Sequence, residues 1–204
     1  MSVRVKICGL TSLEDALGAM NAGADALGFM FYEGSPRHLT LAQAREILVH
    51  LPPFVTRVGV FVNPSAAQVR EAIACGLDAL QFHGEEPSEF CRQFGRRWLK
   101  AFRVRDAASL ELCRPYAGMP WLLDSYVPGQ RGGTGATFNW EIAAQAAREN
   151  PQIILAGGLT PDNIAAAVKQ VRPYGVDVSS GVESAPSKKD PEKVCAFIRA
   201  AKHA

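Results

Sequence analysis

The chain has 204 residues, 48% of them hydrophobic, so it can bury a sizeable core and needs no second domain. Its 22 basic and 20 acidic residues are interleaved and give a net charge of +2, which excludes the basic surface typical of nucleic-acid-binding proteins. The sequence has no apolar run of membrane-spanning length and no secretory leader pattern. We therefore expect a cytoplasmic protein with no membrane or nucleic-acid partner.

The first strand–helix unit sets the pattern for the whole chain. Residues Val3–Ile7 predict a short apolar strand, and a helical stripe of apolar residues begins at Leu13. Between them, Thr11 and Glu14 match the spacing of a capping box at the start of a helix. Cys8 therefore lies at the carboxyl end of the predicted strand, just before the helix.

Seven more apolar segments predict strands, and each is followed by a helical pattern. These segments are Ala24–Phe31, Val55–Val62, Ala79–Phe82, Trp98–Val104, Pro120–Leu123, Ile153–Ala156 and Val176–Val178. Predicted helix starts lie at Thr40–Gln43, Asn63–Pro64, Thr160–Pro161 and Asp190–Pro191, with another near Phe138 and a short extra helix in Glu183–Ser187.

Alternating strands and helices imply a parallel sheet with right-handed crossovers. Eight such units close naturally into a single (β/α)8 barrel, which we expect to span residues 1–204 as one domain. A doubly wound open sheet is the alternative fold.

A barrel would bring the carboxyl ends of all eight strands to one mouth, where such folds carry their active sites. The residues that this topology collects are Cys8, Arg37, Asn63, His83, Arg103, Asp124, Gly157 with Gly158, and Ser180 with Gly181.

The glycines after strands seven and eight predict a phosphate site. Gly157 and Gly158, together with Ser180 and Gly181, leave backbone amides uncrowded at the corner where barrels commonly bind phosphate. The alternative is that these residues only form tight turns.

Cys8 and Asp124 predict an acid/base pair on nearly opposite sides of the mouth. Asp124 follows a very apolar strand, and burial of a carboxyl group favours the protonated form that a general acid needs. Cys8 is the candidate base, and Lys6 on the same strand face would favour its thiolate. The alternatives are a buried apolar cysteine and a carboxylate that caps its own loop.

Arg37, His83 and the loop Gly129–Gly135 each allow more than one interpretation. Arg37, on an exposed loop, could hold a substrate carboxylate in bidentate fashion or be a solvated charge. His83 favours a structural role, since no second histidine or carboxylate stands at metal-ligand spacing from it, and the five cysteines form no Cys-x-x-Cys pair. The loop Gly129–Gly135 matches neither phosphate-loop nor dinucleotide-binding patterns and suggests a lid, so we expect no nicotinamide cofactor and no metal.

Six segments, in order along the chain, resemble the phosphoribosylanthranilate isomerase family of tryptophan biosynthesis. They are Lys6–Thr11, Gln81–Gly84, Leu122–Ser125, Gly132–Gly135, Ala156–Leu159 and Val178–Glu183. The resemblance implies a (β/α)8 fold and an Amadori rearrangement of a small phosphorylated substrate without cofactor or metal.

The resemblance also implies roles for individual residues. Asp124 would be the general acid, Cys8 the general base and Arg37 the ligand of the anthranilate carboxylate, with His83 in support. The phosphate would be held by backbone amides of Gly157, Gly158, Ser180 and Gly181, with Gly132 and Gly133. The oligomeric state, monomer or homodimer, stays open.

The sequence departs from the family pattern at two positions. Ser187 stands where the family pattern favours glycine, which affects a local turn, and Asn139 replaces an aspartate with similar capping ability.

Indole-glycerol-phosphate synthase shares the phosphate corner, but it uses lysine and glutamate in its pocket. A non-catalytic binder of a phosphorylated metabolite would keep the phosphate corner and lose Cys8 or Asp124, and both are present.

Overall fold

The computed structural model describes residues 2–125 and 140–204. Eight parallel strands follow one another in chain order around a closed barrel, and the last strand pairs with the first. The strands are β1 Arg4–Cys8, β2 Ala26–Met30, β3 Thr56–Phe61, β4 Ala79–Phe82, β5 Arg97–Val104, β6 Trp121–Ser125, β7 Ile153–Leu155 and β8 Gly175–Val178. The predicted (β/α)8 barrel is confirmed, and the open sheet is wrong.

Helices cover the outside of this barrel between successive strands. They are α1 Leu13–Asn21, α2 Leu41–Leu48, α3 Ala66–Ala74, α4 Ser88–Arg92, α5 Trp140–Glu149, α6 Ile164–Val171 and α7 Pro191–Lys202. Between β5 and β6 the predicted helix is a 3₁₀ helix, Ala107–Tyr116, which contains Pro115 and so lacks one backbone donor.

Two predicted helix starts are confirmed and two are wrong. Thr40 and Gln43 form a capping box at α2, and Asp190 caps α7. The predicted box at Thr11 is displaced by one residue, because Ser12 is the N-cap of α1 and accepts the amide hydrogen of Asp15. Asn63 does not cap α3: the cap is Ser65, and Asn63 adopts a φ of 49°.

The remaining predicted helix starts have mixed outcomes. Helix α6 begins at Ile164, four residues beyond Thr160, whose backbone oxygen accepts the Ile164 amide. The predicted start near Phe138 lies outside the described residues, and so does Asn139.

Side chains that alternate along the strands create two apolar regions. The larger packs the outer strand faces against the helices, with Phe29, Phe82 and Phe197 among its fully buried side chains. The smaller fills the barrel interior with residues from adjacent strands, namely Val58, Ala79, Leu99, Ala101, Leu122 and Ala156. Above this interior cluster the inward positions become polar, and they form the mouth.

The segment after β8 differs from its prediction. A short 3₁₀ turn, Ser180–Val182, leads into an antiparallel hairpin of β9, Glu183–Ala185, and β10, Lys188–Lys189. This hairpin replaces the short helix predicted in Glu183–Ser187. Ser187 turns the chain between the two strands with a φ of 67°, a conformation that breaks a helix and favours glycine.

Candidate active site

One cavity at the carboxyl end of the barrel is lined by eight of the residues that were predicted to meet at the mouth. Its lining includes Cys8, Arg37, His83, Asp124, Gly157, Gly158, Ser180 and Gly181. The predicted phosphate contacts Gly132 and Gly133, and the lid Gly129–Gly135, lie outside the described residues. Asn63 and Arg103 do not line this cavity; both line a neighbouring one that shares His83.

Cys8 ends β1, and a glycine on the adjacent strand makes room for its thiol. Cys8 and Gly28 are register partners on β1 and β2. A Cβ atom added to Gly28 would lie 2.7 Å from Cys8 Sγ and 3.0 Å from Lys6 Cε. Because both side chains crowd the same point, only a residue without a Cβ fits opposite them.

Beneath the thiol, Lys6 bridges three strands through the barrel interior. Its Nζ donates to Gln81 Oε1 at 2.9 Å and to both carboxylate oxygens of Asp177 at 3.0 Å. Strands β1 and β4 are not neighbours, so the bond to Gln81 crosses the lumen. Burial lowers the pKa of Lys6, but the Asp177 and Cys8 charges outweigh it and raise that pKa overall.

The environment of Cys8 favours its protonated thiol. Burial raises the pKa of Cys8, and the Asp177 carboxylate adds to the rise, while Lys6 and Lys189 oppose it. Lys6 does lower the pKa of Cys8, as expected, but burial raises that pKa by more. The thiolate that a proton acceptor requires is therefore disfavoured at neutral pH.

Asp124 is the last residue but one of β6, and its carboxyl group lies beside the His83 ring. The Asp124 side chain is 8% exposed, and its Oδ2 lies 3.5 Å from Nε2 of His83. The other ring nitrogen of His83, Nδ1, lies 3.5 Å from Nε2 of Gln81. His83 thus links the Asp124 carboxyl group to the Lys6 network, a position that spacing in the sequence does not reveal.

The structure excludes one of the two alternatives for Arg37, the solvated charge. Its side chain is only 15% exposed, and it forms a bidentate pair with Glu183, with Nε 2.7 Å from Oε1 and Nη2 2.6 Å from Oε2. Glu183 also accepts from Nζ of Lys189 at 2.8 Å. This three-residue cluster joins the loop after β2 to the hairpin after β8.

The predicted phosphate corner is built from glycine-rich backbone. Gly157 and Gly158 follow β7 with φ values of 83° and 65°. Within residues 2–125 and 140–204, their amide hydrogens have no acceptor. A Cβ added to Gly181 would overlap the backbone oxygen of Leu159, so glycine permits the close approach of the two loops. The arrangement suits an anion held by main-chain amides.

The described part of the chain contains no group of three or more His, Cys, Asp or Glu side chains arranged to hold a metal ion. No helix in the described ranges is long and apolar enough to cross a membrane. The expectations that no metal and no cofactor take part stay predictions.

Comparisons with known proteins agree with this architecture. Residues 5–200 match the sequence model of the family described as N-(5'phosphoribosyl)anthranilate (PRA) isomerase. The N-(5'-phosphoribosyl)anthranilate isomerase of Geobacter metallireducens is 60% identical over 201 residues, covering 98% of this chain and 99% of the relative.

Solved structures give the same result. Phosphoribosyl anthranilate isomerase from Thermotoga maritima superposes with a TM-score of 0.93 at 44% identity, covering 99% and 100% of the two chains. A phosphoribosyl anthranilate isomerase in complex with reduced 1-(o-carboxyphenylamino)-1-deoxyribulose 5-phosphate has a TM-score of 0.90 at 43% identity, with the same coverage. A third structure, described as monomers of the dimeric Thermotoga maritima enzyme, has a TM-score of 0.90 at 41% identity and again covers 99% and 100%. The chain belongs to the N-(5'-phosphoribosyl)anthranilate isomerase family.

Proposed function

We propose that this chain catalyses the isomerisation of N-(5'-phosphoribosyl)anthranilate to 1-(2-carboxyphenylamino)-1-deoxyribulose 5-phosphate, a step of tryptophan biosynthesis. The observation that carries the proposal is one cavity that is lined by a buried thiol, a buried carboxyl group and a corner of glycine-rich backbone. A relative that binds a reduced form of this product supports the same substrate class. The reaction is an internal redistribution of protons, which acid/base groups alone can perform.

Asp124 is the proposed general acid. In its protonated form it donates to the ring oxygen of the furanose, and the bond from that oxygen to C1 breaks as the anthranilate nitrogen forms a Schiff base with C1. The carboxyl group is buried beside His83, whose ring can hold the carboxylate that results.

Cys8 is the proposed general base. Its thiolate removes the proton from C2 of the opened sugar, and the resulting enolamine gains a proton at C1 and loses one from the 2-hydroxyl to give the ketone. Gly28 leaves the space that keeps Cys8 Sγ pointing into the cavity. The position of the thiol, nearly across the mouth from Asp124, lets the two groups act on different substrate atoms.

The two anionic ends of the substrate have separate proposed contacts. Backbone amides of Gly157, Gly158, Ser180 and Gly181 bind the phosphate, an interaction that needs no charged side chain. Arg37 binds the anthranilate carboxylate with the guanidinium donors that Glu183 leaves free. The predicted contribution of Gly132 and Gly133 stays a prediction.

The proposal is tested by identifying the product. We would supply substrate carrying ¹³C at C2 of the sugar and record spectra during incubation with the protein. The expected result is conversion of the hydroxyl-bearing carbon signal into a ketone signal. Tight binding of the substrate with no ketone signal would favour the rival function, a non-catalytic binder of phosphorylated metabolites.

We further infer a homodimer in a cytoplasmic location, as the biosynthetic role and the dimeric relative suggest. Phe54 is fully exposed and Tyr174 is 55% exposed, and both line a cavity at the amino end of the barrel, opposite the site. A second copy would bury these rings. Sedimentation equilibrium of Phe54→Glu beside the original protein tests this assembly, and an unchanged mass would count against it.

A further inference from the structure

The Arg37 guanidinium is held along one edge and open along the other. The Glu183 carboxylate accepts hydrogen bonds from Nε and Nη2 of Arg37 in a bidentate pair. Among the residues that the structure describes, no acceptor takes the Nη1 hydrogens. A guanidinium has a second donor edge, formed by its two Nη atoms, and that edge matches the geometry of another planar carboxylate.

The stem of Arg37 is fixed as well as its head. A Cβ added to Gly9, the residue after Cys8, would overlap Cδ of Arg37 and lie 3.2 Å from its Nε. Gly9 itself has a φ of 73°, which glycine adopts without cost. The arginine therefore lies flat over the backbone that follows the candidate base, and its head lines the same cavity as Cys8.

The hairpin that carries Glu183 is anchored at several points. The Ser187 hydroxyl donates to the backbone oxygen of Pro36 at 2.6 Å, and the Thr11 hydroxyl donates to the backbone oxygen of Ser187 at 2.8 Å. The Lys189 amide donates to Asp15 on α1 at 3.0 Å. These bonds tie the hairpin directly to the residue before Arg37, so Glu183 has a fixed position relative to the arginine.

Lys189 sets the charge of the cluster. Its side chain is 2% exposed and its ammonium pairs with Glu183 at 2.8 Å. An isolated Arg37–Glu183 pair would be neutral and would attract an anion weakly. With Lys189 included, the three side chains carry one net positive charge inside a largely desolvated corner, where such a charge acts strongly on a ligand carboxylate.

We propose that Glu183 is a positioning residue that aims the free edge of Arg37 at the substrate carboxylate, with Lys189 restoring the positive charge that Glu183 removes. This inference rests on the proposed function, because it assumes that Arg37 binds the carboxylate. The inference gives Glu183, which lies 146 positions from Arg37 in the sequence, control over selectivity for a carboxyl-bearing substrate.

Positioning and simple charge attraction predict opposite results for Glu183→Gln. The substitution removes a negative charge, so attraction alone would strengthen binding of an anionic ligand. Loss of the bidentate pair frees the guanidinium to rotate, so positioning predicts weaker binding. The sign of the change separates the two explanations.

The experiment compares two ligands on four proteins. The ligands are reduced 1-(o-carboxyphenylamino)-1-deoxyribulose 5-phosphate and its phenylamino counterpart without the carboxylate. The proteins are the original chain, Glu183→Gln, the charge-conserving double variant Glu183→Gln with Lys189→Met, and Arg37→Met. Calorimetry gives the ratio of the two dissociation constants, and thermal melting confirms that each variant is folded.

For the original chain the ratio favours the carboxylate ligand. In Glu183→Gln we expect that preference to fall about tenfold, the order of one charge-assisted hydrogen bond, and the phenylamino ligand to bind within about twofold of the original. The double variant should show the same fall, because its net charge is conserved while the positioning is lost. In turnover, the loss should fall on KM more than on kcat.

The inference is overturned if Glu183→Gln keeps or increases the original preference, or if both ligands weaken equally, which is the result of a purely structural role. Should Glu183→Gln fail to fold, the double variant provides the test, since it also removes the buried Lys189 ammonium that would otherwise lack its carboxylate partner. Arg37→Met tests the underlying function separately: if it keeps the carboxylate preference, Arg37 is not the carboxylate ligand, whatever Glu183 does.

Discussion

Lys6 and Asp177 are register partners on the first and last strands, and their side chains form an ion pair of 3.0 Å directly beneath the thiol of Cys8. The pair is more than nine-tenths buried on both sides. It joins the strands at the point where the barrel closes, and the same ammonium also reaches Gln81 on the far wall. One interaction thus contributes to closure of the fold and to the electrostatics of the candidate base.

Breaking this pair should destabilise the protein strongly. Lys6→Met leaves the Asp177 carboxylate buried without its partner, and such a change costs about 3–5 kcal/mol. The double variant Lys6→Met with Asp177→Asn removes both charges and should recover most of the loss. Urea denaturation measures the free energies of unfolding. Equal stability of the two variants would contradict the view that the unpaired carboxylate is the cause.

The Cys8 thiol should ionise only in alkaline solution. Burial raises the pKa of Cys8 above its ordinary value of 9.0, so the free enzyme holds mostly thiol at neutral pH. Only the thiolate accepts a proton, and its fraction changes about tenfold per pH unit below the pKa. We therefore expect the ultraviolet absorbance of this thiolate, taken as the difference between the original chain and Cys8→Ser, to keep rising from pH 7 to beyond pH 9. A plateau below pH 8 would contradict the raised pKa.

Gly28→Ala should reduce activity with little unfolding. The new methyl group would lie 2.7 Å from Cys8 Sγ and displace the thiol, and a shift of about 1 Å in a reacting group can cost about 10²-fold in rate. Gly18→Ala is the matched control, because a Cβ there contacts nothing within 4 Å on a helix surface. That control should keep full activity and gain about 0.5–1 kcal/mol of stability. Equal activity of the two variants would exclude the packing role of Gly28.

Ser187 should behave as a serine held in a glycine conformation. Ser187→Ala loses the hydroxyl bond to Pro36 and keeps the left-handed φ of 67°, whereas Ser187→Gly loses the bond and relieves the backbone. Left-handed backbone costs a non-glycine residue about 1–2 kcal/mol, so the alanine variant should be the less stable of the two by about that amount. Thermal unfolding of both variants measures the difference, and a more stable alanine variant would contradict the backbone argument.

The sequence predicted the fold well because strand and helix periodicities alternate eight times without interruption. It also predicted most of the residues that line the site cavity, since topology alone brings Cys8 and Asp124 to the same face, but Asn63 and Arg103 line a neighbouring cavity instead. The sequence did not predict which side chains form hydrogen bonds with each other. The Arg37–Glu183 bond spans 146 residues and the Lys6–Asp177 bond spans 171, and only barrel closure brings those residues together.

Two wrong predictions, the N-cap of α1 and the helix after β8, are explained by contacts of Thr11 and by the backbone of Ser187. At α1, Thr11 and Ser12 are both able to cap, and the fold uses Ser12 because Thr11 is bonded to the hairpin after β8. That hairpin was predicted as a helix, although Ser187 in a left-handed conformation excludes one. Its importance for Arg37 follows only from the contacts between the two segments.

The central claim is that Cys8 and Asp124 act as base and acid in the isomerisation. The most direct measurement is the decay of anthranilate-type fluorescence after mixing purified protein with fresh N-(5'-phosphoribosyl)anthranilate, with Cys8→Ser and Asp124→Asn measured beside it. We expect rapid decay with the original chain and a loss of several orders of magnitude in each variant. Rapid decay that survives both substitutions would contradict the assignment of these two residues.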